Sequence, residues 1–255
     1  MGILNHKIIG EGQPLIILHG LFGSLDNWVT LGKKFGEHYQ IVLADQRNHG
    51  KSFHSSLFNY QAMAEDLEAL IENLELDNPI LLGHSMGGKT VMQYAAFHPT
   101  VINKIIVADI GPKGYPVHHD QIIKGLHAVD INTIQSREEA DTMLSKFVQD
   151  PGIKSFLLKN LKRGSNGGYE WKMNLSGISA SISNVGTALD YYLPIDVPSL
   201  FIRGGASDYI LDSDFEFIET VFPMAEFETI EGAGHWLHAE RPSEFYDAVM
   251  NFLQH

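Results

Sequence analysis

Ile80-Leu81-Leu82-Gly83-His84-Ser85-Met86-Gly87-Gly88 is the stretch that decides the fold. Three branched apolar residues lead into Gly-x-Ser-x-Gly, and a helical pattern from Lys89 to Phe97 follows at once. This reads as strand, tight turn and helix with a serine at the tip. A serine so placed holds a strained backbone conformation, and its neighbours two positions away must lack side chains, which Gly83 and Gly87 do. The turn projects the Ser85 hydroxyl above the sheet. It also puts the Met86 N–H at a helix start, where it can donate to a developing oxyanion. The bare pentapeptide also occurs in ordinary glycine-rich loops, so its meaning comes from the strand before it and the helix after it.

Working outward, Leu15–Leu18, Ile41–Ala44 and Ile105–Ala108 are further four-residue runs rich in Ile, Val and Leu, without alternation. Strands buried on both faces read this way. Between them lie helical spacings such as Met63, Leu67, Leu70, Ile71 and Leu74, so strand and helix alternate and the fold class is α/β with a parallel sheet. Ile3 to Gly10 reads as an added edge strand. From about Tyr115 to Tyr192 helical patterns dominate, with one loop around Gly164, Ser165, Asn166, Gly167 and Gly168. Pro198–Ile202 and Ala225–Ile230 resume the strands, and a helix from Pro242 to about Leu253 closes the chain. The expected organisation is one core domain, residues 1–112 and 193–255, interrupted by a mostly helical insertion at 113–192. No internal repeat or low-complexity tract is present.

Composition narrows the function. The 255 residues include no cysteine, which excludes disulfides, thiolate catalysis, zinc–thiolate sites and iron–sulfur clusters. Eighteen Lys and Arg against 31 Asp and Glu give a formal net charge of −13. That surface repels phosphate backbones and anionic membranes and serves solubility. Met1 to Gly12 lacks a basic stretch followed by an apolar one, and no run approaches the ~18 apolar residues of a membrane span. A cytoplasmic protein is expected, with no nucleic-acid or membrane partner; nothing in the sequence sets the oligomeric state.

His19-Gly20-Leu21-Phe22-Gly23-Ser24, Asp45-Gln46-Arg47-Asn48-His49-Gly50, Gly83-His84-Ser85-Met86-Gly87-Gly88 and Ala233-Gly234-His235-Trp236, with Arg241-Pro242, together resemble the α/β-hydrolase superfamily. Their wording is similar to a branch of small bacterial carboxylesterases and their mitochondrial relatives. The resemblance spans nearly the whole chain outside the insertion. It implies a mostly parallel central sheet flanked by helices, with a helical cap inserted after the sixth strand.

A serine hydroxyl needs a base to accept its proton, and 13 histidines compete for that role. The superfamily order Ser, acid, His places the histidine on the loop after the last strand, which selects His235. His238, one helical turn on, reads as structural, His84 as packing beside the nucleophile, and His19 as a brace for the loop it opens. Two aspartates compete to hold the imidazole. Asp208 follows the strand Phe201-Ile202-Arg203, the superfamily's usual place, and Asp109 follows Ile105–Ala108, the position used by the esterase branch that the chain resembles. Apolar flanks make an unpartnered Asp109 costly and favour it; the aspartate left over would sit behind the first or order a turn.

The second oxyanion donor is expected from the Leu21 N–H, with Phe22 as the fallback, since Gly20 permits close backbone approach. Phe147, Phe156, Leu157, Leu158 and Trp171 lie in the insertion. Most of these fill its core, while a few line an apolar slot with Phe22, Met86 and Trp236, suited to acyl groups of small to medium size. His118-His119-Asp120 does not read as a metal site, because neighbours on a helix point about 100° apart. No cofactor is expected. The expected function is hydrolysis of small-molecule carboxylic esters, or thioesters, through an acyl-enzyme. The alternatives with the same triad are a C–C bond hydrolase, a cofactor-free perhydrolase and a low-turnover ligand receptor; a relative that has lost catalysis is a further one.

Overall fold

Leu15, Ile16, Ile17 and Leu18 are all buried, and they alternate between two different hydrophobic cores. Leu15 and Ile17 face one layer of helices, Ile16 and Leu18 the other, so the run shows no alternation of polarity although it alternates in direction. The structure is a computed structural model that describes residues 2–117, 119–165 and 167–255.

Strands β1 (His6–Ile9), β2 (Pro14–Leu18), β3 (Gln40–Ala44), β4 (Ile80–His84) and β5 (Ile105–Ala108) come first. Two three-residue strands, β6 (Leu161–Arg163) and β7 (Tyr169–Trp171), form a separate hairpin, and β8 (Ser199–Gly204) and β9 (Ala225–Ile230) return to the main sheet. The main sheet runs β1-β3-β2-β4-β5-β8-β9, antiparallel only where edge strand β1 meets β3. Edge strand β9 turns Glu226 and Glu228 to solvent, as exposed sheet edges require.

Helices α1 (Val29–Phe35) and α10 (Pro242–Gln254) cover one face through Leu31, Phe35, Phe245 and Val249. Helices α2 (Tyr60–Asn73), α3 (Met86–Phe97) and α8 (Phe215–Val221) cover the other through Leu67, Leu70, Val91, Met92 and Ile218. A four-residue helix, α9 (Leu237–Glu240), precedes α10.

Between β5 and β8 the chain leaves the sheet and forms α4 (Asp120–Ala128), α5 (Arg137–Leu144), α6 (Pro151–Leu158), the hairpin and α7 (Leu175–Ala180). Among the described residues five strands, not six, precede this excursion, because those ahead of Pro14 hold only β1. The hairpin is also absent from the sequence reading: three residues are too few to display a period of two. Leu126, Leu144, Leu157 and Ile178 of the excursion pack with Leu21, Phe22, Met63 and Met86 in a third core, above the carboxyl ends of the strands. Its two necks are tied together, Tyr115 N–H donating to Gly186 O at 2.8 Å and Leu189 N–H to Pro112 O at 2.7 Å. Buried Lys89 of α3 clasps both, its ammonium donating to Pro112 O at 3.1 Å and Thr187 O at 3.0 Å.

Candidate active site

Ser85 follows β4 directly and opens α3 with φ +52° and ψ −117°, a region that side chains rarely occupy. The glycines make this turn possible. A Cβ on Gly83 would stand 2.2 Å from Gly87 O, and one on Gly87 would stand 2.4 Å from Leu18 O. One strand over, Asp109 leaves β5 with φ +53°. The two ends are in step: Ser85 N–H donates to Ala108 O at 3.0 Å, and Asp109 N–H to Ile202 O at 2.8 Å.

His235 comes from the loop between β9 and α9 and joins these two residues. Its Nδ1–H donates to Asp109 Oδ2 at 2.8 Å, and its Nε2 accepts from the Ser85 hydroxyl at 3.1 Å. The Asp109 side chain is fully buried while that of His235 is 17% exposed, so the carboxylate is shielded and the imidazole edge is reachable. Asp109 is further held by Gly204 N–H on Oδ1 at 3.0 Å and by the Ser207 hydroxyl on Oδ2. Asp208 is exposed, and no hydrogen bond joins it to His235 among the described residues. The end of β8 and the loop after it thus give donors to the carboxylate through Gly204 N–H and the Ser207 hydroxyl, while Asp208 stays exposed. A hydroxyl, an imidazole and a buried carboxylate in this order let the base take a proton while the carboxylate fixes its tautomer and stabilises the imidazolium.

The loop from His19 to Ser24 lies against Ser85. A Cβ on Gly20 would stand 2.8 Å from His84 Nδ1 and 3.3 Å from Ser85 Cβ, so the approach requires glycine. Phe22 has φ +59°, and its N–H donates to His49 Nε2 at 3.1 Å. His49 Nδ1–H in turn donates to Arg47 O at 2.9 Å. With the Phe22 amide committed, the N–H groups of Leu21 and Met86 remain; among the described residues neither has a protein acceptor. His19 braces the same loop: its Nε2 accepts from Gln46 N–H at 3.0 Å and its Nδ1–H donates to Gly20 O at 2.8 Å. Both rings must be neutral to accept an N–H. Burial pushes His19 down to about 4, and burial followed by neighbouring His19 pushes His49 down to about 3.

Two more histidines pack behind His235. His84 donates from Nε2 to the backbone O of His235 at 2.8 Å, and its ring lies 4.8 Å from that of His235. It therefore anchors the loop that carries His235, and burial holds it well below the ordinary value of 6.5. His238 stacks on Trp28 at 4.3 Å, and burial pushes it down to about 3. Tyr209, which sequence reasoning missed, stacks on His235 with centroids 3.9 Å apart. Its backbone O accepts from Tyr115 OH at 2.8 Å, while that hydroxyl accepts from Gly111 N–H.

A cavity of about 160 Å³ opens over Ser85 and His235, and Phe22 and Trp236 both stand on its wall. Phe156 and Leu157 of α6 reach it, whereas Phe147 and Trp171 pack within the third core. Met86 is absent from this wall; its side chain is buried toward a second, smaller space on the other side of Ser85. Of His118-His119-Asp120, His118 lies outside the described residues and Asp120 begins α4. Among the described residues no helix is long and apolar enough to cross a membrane.

Residues 13–148 match the family model described as alpha/beta hydrolase fold. The chain is 40% identical to a putative esterase/lipase of Haemophilus influenzae, over 94% of this chain and 82% of that one. It is 35% identical to the esterase YbfF of Escherichia coli, over 95% and 94% respectively. It is 38% identical to an sn-1-specific diacylglycerol lipase of Mus musculus, over 94% and 80%. Among solved structures, a marine microorganism esterase superposes with a TM-score of 0.96 at 42% identity, covering 98% of this chain and 99% of that one. With the Ser85 elbow, the parallel sheet and these relatives in agreement, the chain belongs to the α/β-hydrolase fold family.

Proposed function

We propose that this chain hydrolyses small-molecule carboxylic esters through an acyl-enzyme formed on Ser85. The observation that carries the reading is the unbroken hydrogen-bonded series from the Ser85 hydroxyl through His235 to buried Asp109. Ser85 attacks the ester carbonyl, and His235 takes its proton and returns it to the leaving alcohol. Water then repeats the sequence on the acyl-enzyme. The Leu21 and Met86 amides hold the oxyanion, a contribution of roughly 3–4 kcal/mol for each donor in well-formed sites. Phe22 and Trp236 bound the substrate, and residues 113–192 act as a cap over it. Esterases among the relatives support the ester class over C–C bond cleavage.

The test is turnover of p-nitrophenyl acetate, butyrate and octanoate by the wild type and by Ser85→Ala. Turnover lost on substitution supports the reading. Equal rates for the two proteins on all three esters overturn it.

A further inference from the structure

Ser85 stands between two spaces of unequal size. The larger, about 160 Å³, is walled by His235, Trp236, Trp28, Ile122, Ile153 and Phe156, among others. The smaller, about 30 Å³, lies toward Met86, Tyr60, Ile110, Tyr115 and Val185. Ser85, Leu21 and Tyr209 border both, whereas His235 borders the larger and Met86 the smaller.

Taken with the serine-hydrolase reading, on which this step rests, the asymmetry assigns the two halves of an ester. Attack joins Ser85 Oγ to the carbonyl carbon while the hydroxyl proton passes to His235 Nε2. When the bond from that carbon to the alcohol oxygen breaks, the departing oxygen takes the same proton. It must therefore lie within hydrogen-bond reach of Nε2, about 2.6–3.2 Å, which places the alcohol in the larger space. With the oxyanion on the Leu21 and Met86 amides, the acyl substituent points to the other side of the tetrahedral carbon, into the smaller space.

The volumes then set the size of each half. On the measure by which one water needs about 10–15 Å³, the smaller space takes one or two methyl-sized groups, whereas a core cavity of about 150 Å³ accepts benzene. The small space is also braced against widening. Tyr60 OH donates to Val185 O at 2.6 Å, and Asn184 Nδ2 donates to Phe58 O at 2.9 Å, tying its roof to the segment that leads into α2. We propose that this site is selective for acetyl esters of bulky apolar alcohols, with Tyr60, Ile110 and Val185 setting the acyl limit.

Benzyl acetate and methyl phenylacetate are isomers with alcohols of similar acidity, so their comparison reads the orientation of the site. The expected result is a kcat/KM at least tenfold higher for benzyl acetate. Benzyl acetate should also exceed benzyl butyrate at least tenfold, and Val185→Ala should narrow that ratio at least threefold. Equal or inverted rates for the isomers, or a butyrate ratio unmoved by Val185→Ala, overturn the proposal while leaving the hydrolase reading intact. If neither the benzyl esters nor p-nitrophenyl acetate is turned over above the Ser85→Ala background, both readings fall together.

Discussion

Ser207 and His235 share a single oxygen: the Ser207 hydroxyl and the His235 Nδ1–H both donate to Oδ2 of Asp109. Ser207 is thus a positioning residue that stops the carboxylate from rotating away from the imidazole. Ser207→Ala is expected to lower kcat by roughly tenfold with KM nearly unchanged, because only the alignment of the base is lost. Ser207→Thr, which keeps the hydroxyl, should restore most of the rate. Steady-state kinetics on p-nitrophenyl acetate read both.

The same arrangement separates the two aspartates. Asp109→Asn removes the acceptor for Nδ1–H and is expected to lower kcat by about 10³–10⁴-fold. Asp208→Asn changes an exposed side chain with no bond to His235 and should leave kcat within about twofold, as surface substitutions do. A large loss in Asp208→Asn with a small one in Asp109→Asn would contradict this geometry.

The bond from Phe22 N–H to His49 Nε2 makes a buried imidazole the support of the loop that carries Leu21, the proposed oxyanion donor. His49→Ala removes the acceptor, leaves a buried N–H unpaired and frees a backbone held at positive φ. The expected outcome is a fall in kcat of about 10–100-fold, larger than any change in KM, since the proposed oxyanion contact acts on the transition state. A loss confined to KM would assign His49 to substrate binding instead.

Acid stability follows from the buried histidines. His19 is held down to about 4, and His49 and His238 to about 3, against an ordinary value of 6.5. Between pH 6.5 and those values the unfolded chain binds more protons than the folded one, so stability falls as pH falls through that window. Urea midpoints should therefore drop between pH 7 and pH 4.5. His238→Phe, which keeps a ring to stack on Trp28, should lessen the drop.

Lys89 gives the necks of the insertion a common anchor on α3. Lys89→Met keeps the apolar stem but strands carbonyls from both necks, and is expected to cost roughly 3 kcal/mol by urea unfolding.

The main sheet was legible because its strands are buried on both faces: Leu15–Leu18 and Ile105–Ala108 are continuous apolar runs, rich in Ile, Val and Leu and too short for helices. The elbow was legible because Gly83 and Gly87 are each demanded by a backbone atom closer than 2.5 Å to where a Cβ would stand. Asp109 was favoured over Asp208 by its apolar flanks alone, since strand ends that lie side by side offer a carboxylate each. The bonds from His235, Gly204 and Ser207 to the Asp109 carboxylate depend on how three distant segments meet, which no local pattern displays. Tyr209 and His49 were missed for a similar reason: stacking on a ring and accepting an amide from 27 residues away leave no local spacing. Hairpin β6–β7 escaped because its strands are shorter than their own period can reveal.

The most direct measurement is covalent labelling with a fluorophosphonate ester, read by intact mass and by peptide mapping. The account predicts one phosphonyl group per chain, on Ser85, with p-nitrophenyl acetate hydrolysis lost in proportion to labelling and no label on Ser85→Ala. Hydrolysis that persists in fully labelled protein, or a label on a residue other than Ser85, would contradict it.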